Sequence, residues 1–148
     1  MATPSKKTPK KAASKTAKQA TAARPESGLR AAGLAAMRRA LPGILPEGDD
    51  IDLRDGRFGD ELVELGTTSV WGALWAREGL SPRDRSLVTL GLLIALHAES
   101  ELRSHVRIAL AHGLTQDEIA EVIYHAAGYA GFPAALVARG AAREALGL

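Results

Sequence analysis

Two residues one helical turn apart, Glu101 and His105, have the types and the spacing for proton chemistry. Side chains four positions apart lie on the same face of a helix and can touch. A carboxylate beside an imidazole raises the pKa of the histidine and orients its ring, so the pair can move a proton or hold an anion. An ordinary surface ion pair has the same spacing, and from spacing alone it is the simpler interpretation.

Two arginines, Arg83 and Arg85, occupy the first turn of another predicted helix, where the helix dipole disfavours cations. A guanidinium at this position can bind a carboxylate through paired hydrogen bonds. It can equally form a local ion pair with Asp84 or Glu78. The position therefore predicts either a carboxylate anchor or a structural ion pair.

Aromatic and histidine side chains are candidates for the wall of a site. Trp75 follows Trp71 by four residues, a pair that more often belongs to a core than to a site. His125 and Tyr129 have the same spacing on a later helix. Tyr129 opens the segment 129–133, which either lines a pocket or only joins two helices.

Several kinds of site are excluded by composition or spacing. The chain of 148 residues has no cysteine, which excludes a disulfide scaffold, a thiolate metal site and a cysteine nucleophile. The four histidines form no recognisable metal-binding motif, and the chain has no glycine-rich phosphate loop or GxSxG motif. We therefore predict no metal site.

The segments that must position these residues are predicted to be helical throughout. Apolar residues recur at helical spacing from Leu29 onward, and no segment of convincing length alternates as a strand does. Residues 87–96 are apolar on nearly every side, which predicts a central helix or a subunit interface. The predicted helices begin near Leu29, Phe58, residue 69, Pro82, Glu99, Gln116 and Pro133.

Charge separates a basic N-terminal segment from an acidic body. Residues 1–28 hold all six lysines and Arg24 against one acid, a net charge of +6, whereas residues 29–148 carry −4. We predict a disordered, solvated tail over residues 1–28 and one helical domain over residues 29–148. A nucleic-acid-binding arm is the alternative for the tail, although no basic patch continues into the body.

Three parts of the chain, taken together, resemble the carboxymuconolactone decarboxylase family over about residues 30–146. They are VWGALWAREGL at 70–80 with RDRSLVTL at 83–90, ELRSHVR at 101–107 with GLT at 113–115, and EI, EV and YAGFPAA within 118–135. The resemblance implies an all-α bundle of the alkylhydroperoxidase D type, with about six to seven helices. Peroxidatic relatives carry two cysteines and a glutamate where this chain has Ala98, Glu101 and Ser86, which excludes thiol peroxidase chemistry.

Within that family the motifs look most like those of the 4-carboxymuconolactone decarboxylases of protocatechuate catabolism, in the 3-oxoadipate pathway. The resemblance implies loss of CO2 from 4-carboxymuconolactone to give the 3-oxoadipate enol-lactone. It implies no metal and no organic cofactor, because the lactone ring itself accepts the released electrons. It also implies that His105 donates a proton or stabilises an oxyanion, that Glu101 orients His105, and that Arg85 anchors a substrate carboxylate. The remaining substrate-binding candidates are Trp75, Tyr129 and His125.

Two other functions fit the same residues. A related decarboxylase or hydrolase acting on a different lactone or 3-oxo acid would share the helices and differ in the pocket. A non-catalytic oligomer that binds a small ligand, with a nucleic-acid-binding tail, is a second alternative. The resemblance implies a ring-shaped homo-oligomer, a trimer or a hexamer. We find no secretory signal and no membrane span, and expect the protein in the bacterial cytoplasm.

Overall fold

The computed structural model describes residues 26–148, which contain six α-helices, one π-helical segment and no strand. The all-α prediction is therefore confirmed for this part of the chain. The predicted tail lies almost wholly outside the described residues, and helix α1 begins at Glu26. No helix between residues 26 and 148 has the length and apolarity needed to cross a membrane. The elements are α1 (Glu26–Ala40), α2 (Glu61–Leu65), the π-helical segment (Gly66–Trp75), α3 (Pro82–Ala95), α4 (Glu99–Ala111), α5 (Gln116–Ala130) and α6 (Phe132–Leu146).

The last four helices begin and end where local sequence signals predict. The Ser81 hydroxyl accepts a hydrogen bond from the backbone N–H of Asp84 at 3.1 Å, and Pro82 occupies the first position of α3. Thr115 and Glu118 form a reciprocal capping box at the start of α5. Gly131, at φ +91°, separates α5 from α6 in a conformation that favours glycine.

The middle of the chain differs from the prediction of two separate helices starting at Phe58 and near residue 69. Phe58 is fully exposed and precedes α2, which begins at Glu61 and runs directly into the π-helical segment. The Ala76 N–H donates to the Trp71 carbonyl at 2.9 Å, five residues back, which is the bond that defines π geometry. No glycine–proline break separates the two parts, so the chain stays helical to Trp75.

Close backbone contact joins α1 to the π-helical segment. A Cβ added at Gly33 would lie 2.1 Å from the Thr67 carbonyl oxygen, and one added at Gly72 would lie 2.1 Å from the Leu29 carbonyl oxygen. Both positions therefore require glycine for this packing. Trp75 lies one helical turn beyond Gly72, so the same contact sets its position.

A core of aliphatic side chains holds α3, α4, α5 and α6 together. Leu90 and Ile94 of α3 pack with residues of α4, α5 and alanines of α6, all shielded from solvent. The other members include Leu102, Val106, Ile119, Ile123, Ala134, Ala138 and Ala142. Burial of these apolar groups supplies the main stabilisation of the bundle.

Helix α3 is not covered on all sides within one chain. Leu90 and Ile94 face the core, but Val88, Leu92 and Leu96 are exposed by 55%, 58% and 72%. The prediction of a central helix is therefore wrong for the single chain. The alternative from the same pattern, a subunit interface, stays a prediction.

Candidate active site

The site is assembled around Trp75, which ends the π-helical segment and faces His105 of α4 and His112, the residue that follows α4. The Trp75 ring lies 6.0 Å from the His105 ring, centre to centre, with the planes inclined by only 24°. The ring of His112 lies 5.6 Å from Trp75, and the ring of Trp71 lies 5.2 Å away. His112 caps the C-terminus of α4, seven residues after His105, so both imidazoles lie on the same side of the helix and contact the same indole.

His105 is a largely buried imidazole with an unused hydrogen-bonding atom. Its Nδ1 is shielded from solvent and has no hydrogen-bond partner among the described residues. Burial lowers the pKa of His105 below its ordinary value, and the negative charge of Glu101 opposes that shift without reversing it. The imidazole is therefore neutral at pH 7, with one buried nitrogen free to bind a ligand atom.

Glu101 departs from the role that its spacing predicts. Its side chain is exposed, and it is not hydrogen-bonded to Nδ1 of His105. The expected rise in the histidine pKa is wrong, because desolvation of the ring outweighs the carboxylate charge. In the structure Glu101 acts on His105 through its charge alone, and the ring stacks on Trp75 instead.

His112 and Ser86 belong to the same cluster and were missed by the sequence reasoning. The Ser86 hydroxyl of α3 lies 3.0 Å from Nδ1 of His112, and Ser86 is only 1% exposed. The pKa of His112 is lowered by burial first, then by the positive charges of Arg39 and His105. The seven-residue spacing of the two histidines was the available signal, but it does not reveal their partner.

Arg85 lies in the first turn of α3, and its side chain reaches back toward the end of the π-helical segment. Its Nη2 donates to the carbonyl of Arg77 at 2.9 Å, two residues beyond Trp75, while its Nε is buried without a hydrogen-bond partner. Among residues 26–148 no acidic side chain pairs with Arg85, whereas Arg83 pairs with Glu118 of α5. The two arginines of this helical turn therefore have different partners, and Arg85 keeps hydrogen-bonding capacity for a ligand.

His125 and Tyr129 lie in a different place from Trp75 and His105. Their rings are 4.9 Å apart in an open, mostly apolar groove of about 790 Å³ between α3 and α5. Neither Trp75 nor His105 lines this groove. Within a single chain, the structure therefore places His125 and Tyr129 apart from Trp75 and His105. The roles of His125 and Tyr129 stay predictions.

The cluster of Trp75, His105 and His112 suits the stabilisation of a small anion in a partly buried, partly aromatic setting. A neutral imidazole nitrogen donates or accepts one hydrogen bond, and in a desolvated site such a bond is stronger than in water. Within the described residues no group of three or more histidine or acidic side chains has the arrangement of a metal site.

Comparison with known proteins assigns the chain to a family. The profile of the carboxymuconolactone decarboxylase family matches residues 61–144, more than half of the chain. The chain is 47% identical over 87 residues to a 4-carboxymuconolactone decarboxylase of Acinetobacter baylyi, covering 59% of this chain and 65% of that protein. It is 45% identical over 82 residues to a nitrosuccinic acid decarboxylase of Metarhizium robertsii, covering 55% of each chain.

A third relative, an uncharacterised 15.0 kDa protein of Paracoccus denitrificans, is 42% identical over 66 residues, or 43% of this chain and 49% of that protein. The chain thus spans less than two thirds of the length of each of these relatives. The residues matched by the family profile nevertheless include Trp75, Arg85, His105 and His112. The chain belongs to the carboxymuconolactone decarboxylase family.

Proposed function

We propose that this protein is a carboxy-lyase that removes CO2 from 4-carboxymuconolactone, with His105 at the reacting centre. The observation that carries the proposal is the His105 imidazole, largely buried and stacked on Trp75, with Nδ1 unpaired. The names of two relatives support the reaction class, since both are decarboxylases, but they act on different acids.

The proposed reaction needs little from the protein beyond placement and charge stabilisation. The electrons of the bond to the departing CO2 move through the ring double bond onto the carbonyl oxygen of the lactone, which becomes a dienolate oxygen. A proton then adds to a ring carbon and gives the enol-lactone, so that one CO2 leaves and one proton is gained. The ring is its own electron sink, and no external oxidant or reductant takes part. The protein must stabilise the oxyanion, anchor the second carboxylate and deliver the proton.

His105 is assigned the first and last of these tasks. In the free protein its lowered pKa keeps the ring neutral. An anionic substrate beside the ring offsets the cost of burial and raises the pKa, so His105 takes up a proton as the substrate binds. The protonated ring then stabilises the developing oxyanion and returns its proton to carbon. Glu101 favours the same protonation through its charge.

Arg85 is assigned the substrate carboxylate that is retained. Its buried Nε lacks a hydrogen-bond partner, and its hydrogen bond to the Arg77 carbonyl holds the guanidinium near the end of the π-helical segment. A guanidinium binds a carboxylate through two parallel hydrogen bonds, which sets both position and orientation. Trp75 supplies an apolar wall that keeps water from the leaving carboxylate.

A homo-oligomer is part of the proposal. The exposed apolar side chains of α3 support it, because a row of such side chains on one helix is typical of a surface that another chain covers. Light scattering at several protein concentrations measures the assembly. A monomer at all concentrations would remove this part of the proposal.

The test is incubation of the protein with 4-carboxymuconolactone in the presence of a chelator, with CO2 release and loss of ultraviolet absorbance as readouts. A parallel incubation uses nitrosuccinic acid, whose nitro group is also an electron acceptor. Turnover of the lactone with the chelator present supports both the substrate and the metal-independent route. Turnover of nitrosuccinic acid without turnover of the lactone would support decarboxylation but contradict the lactone as the substrate.

A further inference from the structure

The orientation of the His105 ring has an unexpected origin. The acid expected to orient it, Glu101, forms no hydrogen bond with its buried Nδ1. The neighbour that defines the ring plane is Trp75, stacked at an angle of 24°. A long aromatic side chain at the end of a π-helical segment needs its own support to hold such a geometry.

His112, the second imidazole of the cluster, supplies that support. The ring of His112 contacts Trp75 at 5.6 Å between centres, inclined by 39°. His112 is held by its hydrogen bond to Ser86, a buried serine whose hydroxyl has this imidazole as its partner in the structure. A buried hydroxyl bonded to an imidazole nitrogen restrains the ring angle, whichever of the two atoms donates the hydrogen.

We propose that Ser86, His112 and Trp75 are positioning residues that hold His105 in its reactive orientation, with the Ser86–His112 hydrogen bond as the fixed end. Only the claim that this orientation is the reactive one rests on the proposed function, because the orientation itself can be measured without substrate. The residues come from three parts of the fold: Ser86 belongs to α3, His105 to α4 with His112 directly after it, and Trp75 to the π-helical segment. The network thus ties three elements to one ring.

The charges that act on the two imidazoles are few. Glu101, on the same helix, favours protonation of His105, and Arg39, from α1, opposes protonation of His112. A positive charge on His105 also opposes protonation of His112. A change in the angle or burial of the His105 ring therefore changes how it titrates.

The experiment replaces Ser86 with alanine and compares it with Ser104→Ala. Ser104 is adjacent to His105 but exposed, and it bonds only to the backbone of its own helix. A second variant, His112→Asn, keeps a polar atom near Ser86 and removes the ring that touches Trp75. Circular dichroism verifies the helical content of each variant.

Histidine NMR without substrate gives the first readout. Trp75 shifts the His105 ring protons through its ring current, and we expect Ser86→Ala and His112→Asn to reduce that shift and move the His105 titration midpoint. Ser104→Ala should leave both unchanged. In the assay, kcat of the first two variants should fall by about tenfold to a hundredfold with little change in KM, because a positioning error acts on the reacting geometry.

The outcomes separate this inference from the proposed function. A His105 signal in Ser86→Ala and His112→Asn identical to that of the wild type overturns the network, even if His105→Gln is inactive. An active His105→Gln overturns the proposed function, while altered His105 signals in the two variants still support the network. A loss of kcat in Ser104→Ala equal to that in Ser86→Ala also overturns the network, because the effect would then not depend on the Ser86–His112 hydrogen bond.

Discussion

Replacing Gly72 with alanine should both destabilise the fold and disturb the site. The new Cβ would lie 2.1 Å from the Leu29 carbonyl oxygen and 2.8 Å from its carbon, both backbone atoms that no rotamer change can move. Relief requires α1 and the π-helical segment to separate by about 1 Å. Overpacking of this kind costs about 2–3 kcal/mol, which lowers Tm by about 10 °C in a domain of this size.

The matched control is Gly140→Ala in α6. Gly140 is exposed, and a Cβ there meets no atom within 4 Å. Alanine at an exposed helical glycine is expected to stabilise by about 0.5–1 kcal/mol. The two substitutions are chemically identical and should therefore move Tm in opposite directions.

Thermal unfolding followed by circular dichroism, at equal protein concentration, measures both variants. Because Trp75 lies three residues after Gly72, the same variant should lose kcat by more than the fraction of unfolded protein explains. Equal Tm values for Gly72→Ala and the wild type would show that the close backbone contact does not exist in solution.

Further predictions concern charge and protonation. His105 and His112 both have lowered pKa values in the folded protein, so the unfolded state binds more protons as the pH falls below about 6.5. Folding stability should therefore be intact above that pH and decline below it, and the double variant His105→Gln, His112→Asn should flatten this decline in denaturant titrations at pH 5 and 7.5. Arg85→Gln should raise KM by about tenfold to a hundredfold, which is the loss expected for a charged hydrogen bond. Arg139, an exposed arginine of α6, is the control, and Arg139→Gln should leave KM unchanged. Calorimetry in two buffers of different ionisation enthalpy should detect proton uptake when an anionic lactone analogue binds, and its absence would remove protonation of His105 from the binding step.

Local signals in the sequence were sufficient to predict the C-terminal helices. Ser81, Thr115 and Gly131 act through hydrogen bonds and backbone angles within a few residues, so their consequences do not depend on the rest of the fold. The π-helical segment was not predictable in this way. Its contact with α1 depends on the pairing of Gly72 with Leu29, which lie 43 positions apart in the printed sequence.

Only some residues of the candidate site could be predicted from the sequence, for a similar reason. His105 and Trp75 were both singled out as candidates, but the stacking between them is a contact between distant elements and could not be predicted. The sign of the His105 pKa shift depends on burial, which spacing does not show. His112 had no acidic or basic neighbour at helical spacing to draw attention to it, and its partner Ser86 lies on another helix.

A comparison of three proteins tests whether His105 is at the reacting centre. Wild type, His105→Gln and His97→Asn are incubated with 4-carboxymuconolactone, and CO2 release is measured over time. His97 is exposed at φ +55°, a conformation that asparagine also adopts, so it serves as the matched histidine control. We predict that His105→Gln loses at least about a hundredfold in kcat with unchanged helical content, while His97→Asn keeps the wild-type rate. A wild-type rate of CO2 release from His105→Gln would contradict the account.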